Sequence, residues 1–582
     1  MRERVGQATW ARRRTDEFPR YVAAEMLRQH SDRVGIIGPH STSPWYEANQ
    51  WLVGAQKELQ REKLWEAFDE SDIRDFAENF AKLCAEMPQL AERELFALAR
   101  NIEPPPAKFM TDRYEARARR LADPLWWRRA LRRCWSRKAE ESLRRLGVVR
   151  KGKCTYVSDS GVHLRGGQKR RMQSYLESHV ASNELGEQLN LFDVQQGSVA
   201  NPSLRRGELM TRVRGFEELA DWRGDIALFF TLTTPSHFHP QLASGGRNDR
   251  YDTQQTARTA QAWLCRMWAR ARAKLHRQGV RIYGFRVSEP HHDGTPHWHG
   301  LFFVAPDQAH VVRTVVRDTW LSEHGDEPGA IEHRCRVVAI DKSQGDAAGY
   351  IAKYVSKNID GAGTIGAAES DESGESVGDE VARVDAWASL HGIRQFQQIG
   401  GPPVGLWREA RRLREETEDL DIERCRRRAD RGDVCGFIRC VSWDHQNTRK
   451  TSLRLWKEED GTVNKYGECR GKRIVGVRFA SAEVITRPHR WKIEQKGRTH
   501  AVGRSNPPPY EGIATLRNIK PGGASVSSAE SAPAPVPLGP VAITVRSTAG
   551  GRRLKLVLGV GGAPPRLVYA DDEGRPRDHN LQ

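Results

Sequence analysis

Apolar residues in the first hundred positions recur at spacings of three and four, through 21–30 and 49–87, until Pro104-Pro105-Pro106 interrupts them. That period predicts amphipathic helices. A third helix is expected from Asp123 to Leu146 and a fourth over 205–220. The period then changes. Ile226 to Thr233 is a continuous apolar run of strand length, and 253–278 returns to helical spacing through Ala260, Leu264, Met267, Trp268, Ala271 and Leu275, stopping at Gly279. Ile282 to Ser288 and His299 to Val304 read as two strands of a hairpin, with Pro290, Asp293-Gly294 and Pro296 as turn chemistry between them. A helix over 308–323, a strand over 333–340 and helices over 386–394 and 405–418 follow, then strand-like pieces at 436–443, 473–479, 541–546 and 554–558.

The expected class is α+β: a central antiparallel sheet with helices on one face, a helical N-terminal region before it, and small accessory and disordered segments after it. The organisation predicted is a helical region over 1–110, a basic helical region over 111–220 and a catalytic sheet domain over 221–410. An accessory region over 411–500 and a low-complexity, mostly disordered tail over 501–582 complete it. Within the third region, 361–379 is rich in Gly, Ser and acids and reads as a flexible loop; 503–540, rich in Pro, Gly, Ser and Ala, reads as disorder.

Charge narrows the class of partner. A formal net charge of +18 over 582 residues and a pI near 9.6 suit a polyanion, DNA first among them, although ribosome-associated and membrane-surface proteins share that balance. No apolar run reaches the length of a membrane span, and Met-Arg-Glu-Arg-Val opens no signal peptide, so a protein of the cytoplasm, without membrane association, is expected. The nine cysteines include no C-x-x-C, which argues against a disulfide framework; Cys425, Cys435 and Cys440 form the one cluster. The helix from Asp123 carries Trp126, Trp127, Arg128, Arg129, Arg132 and Arg133, a set suited to phosphates and unpaired bases, or equally to buried indoles beneath solvated arginines.

Candidate chemistry concentrates in the hairpin. His297 and His299 are two apart in a strand and so share a face, with Trp298 opposite and Glu289 close across the pairing. Two imidazoles and a carboxylate with positions left open make a divalent-metal site fitted to Lewis-acid work on an oxyanion. The spelling recurs at His237-Phe238-His239, but Pro235 and Pro240 bracket it and break any continuous strand. Downstream, Tyr350 and Tyr354 are four apart on an expected helix, with Lys353 and Lys357 at the same spacing beside them.

At these residues the chain resembles the HUH endonucleases that initiate rolling-circle replication, most of all the two-tyrosine replication endonuclease (gene A protein) family of temperate tailed phages and prophages. The resemblance rests on Phe230 to Pro235, Glu289 to His299 and Tyr350 to Asn358. It extends more weakly through Asp123 to Arg129, Tyr156 to Asp159 and Asn201 to Arg206, covering roughly 110 to 410. It implies a DNA nicking and joining enzyme in which Mg²⁺ or Mn²⁺ is held by His297, His299 and Glu289, with His292 as an alternative third ligand. Tyr350 or Tyr354 attacks the scissile phosphate, leaving a 5′-phosphotyrosine and a free 3′-hydroxyl, and Lys353 and Lys357 assist the phenols. The expected partners are origin DNA, a host helicase and a host polymerase. A transposase or relaxase of the same superfamily, and a DNA-binding protein without cleavage, are the alternatives.

Overall fold

The structure, a computed structural model, describes residues 2–18, 20–36, 44–60, 70–106, 113–343, 345–359, 377–441 and 453–497, with four short strands between 544 and 577. The chain divides into units of 1–519 and 520–582. In the second unit, Thr544–Arg546, Arg553–Val557, Arg566–Ala570 and Pro576–Arg577 pair in that order as an antiparallel sheet. The stretch 503–540, expected to be disordered, lies outside the described residues. No described helix is long and apolar enough to cross a membrane.

The first unit is built on five antiparallel strands: β1 Ile226–Leu232, β2 Tyr283–Pro290, β3 Pro296–Val304, β4 Cys335–Ala339 and β5 Phe396–Ile399, in spatial order β4-β1-β3-β2-β5. The mixed α+β class is as the patterning predicts. The layering differs, because helices cover both faces of the sheet rather than one. Phe229, Phe285, Leu301 and Phe303 face the helices Pro202–Arg223 and Ala347–Ile359, while Leu228, Phe230, Trp298 and Phe302 face Ala257–Arg277 and Ala309–Leu321. The reason is visible in the strands: every residue of β2 is buried, and all but one of β3. Strands apolar on alternate residues of both sets need two covers.

The accessory stretch is not set apart from this core. Ile422, Cys425, Ala429, Val434, Phe437, Ile438 and Val477 lie in the same buried cluster as Phe285 and Phe303. Of the strand-like piece expected over 436–443, residues 436–440 belong to the helix Val434–Cys440, and 442–443 lie outside the described residues. Asp433 caps it by accepting from the Gly436 amide at 2.6 Å, and Val434, Phe437, Ile438 and Val441 face inward at helical spacing. Its β-branched and aromatic content imitates a strand. Gly215 lets the two helices approach, since a Cβ there would fall on the Val434 side chain. Of the flexible loop expected over 361–379, Val377, Gly378 and Asp379 belong to the helix Val377–His391, and 361–376 lies outside the described residues.

The basic helix runs Pro124–Arg145, capped by Asp123, which accepts from the Leu125 amide at 3.0 Å, with Pro124 in the first turn. Trp127 is fully buried against Phe80 and Phe96, and its indole N–H donates to the Leu121 carbonyl at 2.7 Å.

Candidate active site

Pairing of β2 with β3 sets Glu289 opposite His297 and Val287 opposite His299. His297, His299 and Glu289 therefore share the face toward the helix Ala347–Ile359, and Trp298, 1% exposed, enters the opposite core. His297 Nε2 and His299 Nε2 are 3.0 Å apart, and His299 Nε2 is 3.8 Å from Glu289 Oε2. Ligand-capable atoms of all three lie within 4.8 Å of one another. Two imidazole lone pairs cannot face each other at that distance without repulsion; a shared proton or a cation between them removes it. Two nitrogens and a buried carboxylate converging in this way fit a divalent cation.

Two of the three donors are held from behind. Thr231, opposite His299 in the β1–β3 register, brings its hydroxyl to 3.3 Å from His299 Nδ1. Asn358 donates its amide to Glu289 Oε1 and, at 2.6 Å, to the Tyr354 carbonyl, while Gln395 donates to Asn358 Oδ1 at 2.9 Å. Asn358 therefore connects the carboxylate to the tyrosine helix. Such supporting contacts fix ligand orientation and typically change metal affinity by about 10–100-fold. Asn358→Ala is expected to raise the Kd for Mn²⁺ by about that factor, measured by titration calorimetry. An unchanged Kd would remove Asn358 from this role.

His292 stands apart from the three. Its ring stacks on Tyr156 at 6.0 Å, and its carbonyl accepts from the Tyr156 amide at 3.2 Å. His291 lies closer, 4.2 Å from the His297 ring by centroids, and burial, with His239 adding, pushes its pKa down to about 3. It meets His297 as a neutral imidazole. The turn between the strands is buried and gripped from several elements. Arg144, itself without exposure, donates to the Asp293 carbonyl and to Thr295 Oγ1, both at 2.8 Å, and pairs with Glu141. Trp387 donates to the Gly294 carbonyl at 2.8 Å, and Asp293 Oδ2 is 3.1 Å from His239 Nδ1. Gly294 has φ +78°, and a Cβ there would meet the Tyr156 carbonyl at 2.9 Å, so glycine is needed for both conformation and space.

On the facing helix, Ile351, Val355 and Ile359 pack into the core and both tyrosines lean toward β1. The Tyr354 ring stacks on His299 at 4.1 Å and on Phe229 at 5.7 Å, whereas Tyr350, 37% exposed, approaches Phe229 at 6.0 Å. Lys353 is exposed; the Lys357 side chain lies outside the described residues.

The proposed stacking tryptophans are a correction. Trp127 is buried and presents no face to bases, while Trp126 is half-buried and packs edge-on against it at 5.0 Å. Arg128 and Arg132 are drawn onto Glu70. Arg129 and Arg133 remain exposed. The weaker motifs serve structure: Asp123, Ser158 and Asn201 each cap a helix. His237 and Phe238 lie in the 3-10 turn Ser236–Phe238, with His239 just after it, and form no strand. Sequence alone assigns Thr231, Asn358 and Arg144 no part in supporting this site. Thr231 and Asn358 sit inside the motifs that carry the resemblance, which was the available signal; Arg144 had none, being one arginine among many in a basic helix.

Residues 53–362, more than half of the chain, match the family described as bacteriophage replication gene A protein. The chain belongs to this family. It is 38% identical over 416 residues to the replication gene A protein of Escherichia phage 186, covering 68% of this chain and 59% of that protein. It is 37% identical over 383 residues to the replication protein of Haemophilus phage HP1, covering 65% and 48%. It is 39% identical over 388 residues to a probable replication endonuclease from a prophage-like region of Salmonella typhi, covering 64% and 48%. The chain thus spans about half to three fifths of these relatives' lengths. No solved structure matches.

Proposed function

We propose that this chain is a site-specific DNA nicking and joining endonuclease that initiates rolling-circle replication of a phage or prophage genome. The observation that carries the reading is the stacking of Tyr354 on His299, which puts a phenol beside the convergence of His297, His299 and Glu289. A divalent cation, Mg²⁺ or Mn²⁺, bound by those three residues supplies Lewis-acid polarisation of the scissile phosphate. The tyrosine oxygen attacks phosphorus in line, its proton passing to solvent or a neighbouring base. The bond from phosphorus to the 3′ oxygen breaks, leaving a 5′-phosphotyrosine and a 3′-hydroxyl that primes a host polymerase. Asn358 keeps Glu289 directed at the site, and Thr231 keeps His299 in its orientation. Lys353 and Lys357 offset charge on the phenolate and phosphate. The second tyrosine attacks the regenerated origin once the round is complete, and the first link is resealed by the freed 3′-hydroxyl. A host helicase separates the strands. The family membership and a relative named as a probable replication endonuclease support this reading.

The test is a labelled oligonucleotide from the chain's own gene region, incubated with Mn²⁺ or with EDTA and resolved under denaturing conditions. A protein–DNA adduct with Mn²⁺ and none with EDTA is the expected outcome. Binding without an adduct on any such substrate would leave a DNA-binding protein and end the nicking proposal.

A further inference from the structure

A second group of metal-capable side chains stands outside the hairpin, at the opposite edge of the sheet. His237 sits on the 3-10 turn Ser236–Phe238 that follows β1; His324 and Glu327 sit between the helix Ala309–Leu321 and the short helix Ala330–His333 that leads into β4. One ligand atom from each lies within 4.8 Å of the others, and the two imidazole rings are 4.6 Å apart by centroids.

Three features distinguish the cluster from a chance meeting of surface groups. His237 Nδ1 is buried and has no hydrogen-bond partner among the described residues. A buried imidazole nitrogen without a partner is costly unless something absent from the protein atoms satisfies it. Glu327 is fixed in place, accepting from the Ser236 amide at 3.1 Å, the Ser236 hydroxyl at 3.0 Å and Arg334 at 2.7 Å. Hydrogen-bonded carboxylates of this kind are the usual form of metal-ligating ones. His324 is held at φ +55°, a conformation that non-glycine residues rarely adopt, and its ring is directed at His237.

We infer that His237, His324 and Glu327 form a second metal site, one that takes a nitrogen-preferring transition ion such as Zn²⁺. The chemistry selects the ion. Arg334 already offsets the charge of Glu327, so two imidazoles dominate the site, which favours Zn²⁺ over the oxygen-seeking Mg²⁺ or Ca²⁺. Zinc–nitrogen bonds of about 2.0–2.1 Å require the donors to draw in from their present separations, a movement open to the exposed His324 ring. The ion would tie the turn after β1 to the segment that feeds β4, closing one edge of the sheet. Two residues after His237, His239 reaches Asp293 in the hairpin turn, so the clamp steadies the same loop that supports that turn. The inference does not depend on the nicking chemistry, because its donors are distinct from His297, His299 and Glu289.

Zinc content of the purified full chain, dialysed against Zn²⁺ and then against metal-free buffer, tests it by elemental analysis. His297→Ala/His299→Ala removes the hairpin donors and is expected to keep one Zn²⁺ per chain. Adding His324→Asn to that variant is expected to remove it, along with a Zn²⁺-dependent rise in Tm of several degrees. His324 is exposed, so this substitution leaves the core untouched; circular dichroism checks the fold. The same zinc content and the same Tm response with and without His324 would overturn the site, as would no zinc above background in the hairpin variant.

Discussion

Tyr350→Phe/Tyr354→Phe is expected to form no covalent adduct with DNA, while each single substitution still forms one through the remaining phenol. Loss of both nucleophiles should lower adduct formation by on the order of 10⁴-fold or more, the scale seen when a nucleophile is deleted. Phenylalanine keeps the ring, so the stacking of position 354 on His299 and Phe229 survives and any loss reports chemistry rather than packing. The two tyrosines are one helical turn apart on the same face, and each ring approaches Phe229, so both phenols are within a side-chain movement of the same site. They are not equivalent. Tyr354 is packed beside His299, and Tyr350 is more open to solvent, so Tyr354→Phe is expected to slow the first cleavage more than Tyr350→Phe. The measurement is a denaturing gel of adduct against time with Mn²⁺ present. Complete loss in one single variant would reduce the pair to one nucleophile and end the alternating scheme.

The second large effect is expected from a residue that touches no substrate. Arg144→Ala should destabilise the chain by about 3–5 kcal/mol, the usual result of leaving half of a buried ion pair without its partner. The substitution strands the Glu141 carboxylate and removes the donors to the Asp293 carbonyl and Thr295 Oγ1. Those contacts hold the turn that sets His297 across from Glu289, so metal affinity should fall at temperatures where the fold persists. Arg144→Lys keeps the charge but not the branched reach, and should recover only part of the loss. Urea unfolding with and without Mn²⁺ checks both claims. A change below about 1 kcal/mol would mean that water replaces the guanidinium and the turn needs no such anchor.

Much of this molecule was legible in one dimension because its signals are local. The strand before Thr233, the helix ending near Gly279 and the hairpin all follow from periodicity and turn chemistry. The pairing of His297 with His299 on one face needs only the two-residue repeat of a strand. Where local composition is ambiguous the reading failed: Val434–Cys440 has a strand's residues and a helix's spacing, and packing against Gly215 decides for the helix. Trp127 shows the same limit, since an indole on a basic helix is equally suited to bases and to a core until Phe80 and Phe96 are placed around it.

The sequence by itself determined the class of fold, the family resemblance and the candidate residues for a metal and a nucleophile. Tertiary structure alone decided which of them meet. Glu289 rather than His292 comes within reach of the two histidines because strand register sets it opposite His297, while stacking on Tyr156 holds His292 elsewhere. Asn358 reaches Glu289 across 69 residues of sequence, and Arg144 reaches the turn across about 150. His237 meets His324 and Glu327 only because β1 and β4 are neighbours in the sheet. Periodicity reports on neighbours within a turn or a strand; contacts between distant segments depend on how buried surfaces fit together, and no local pattern encodes that fit.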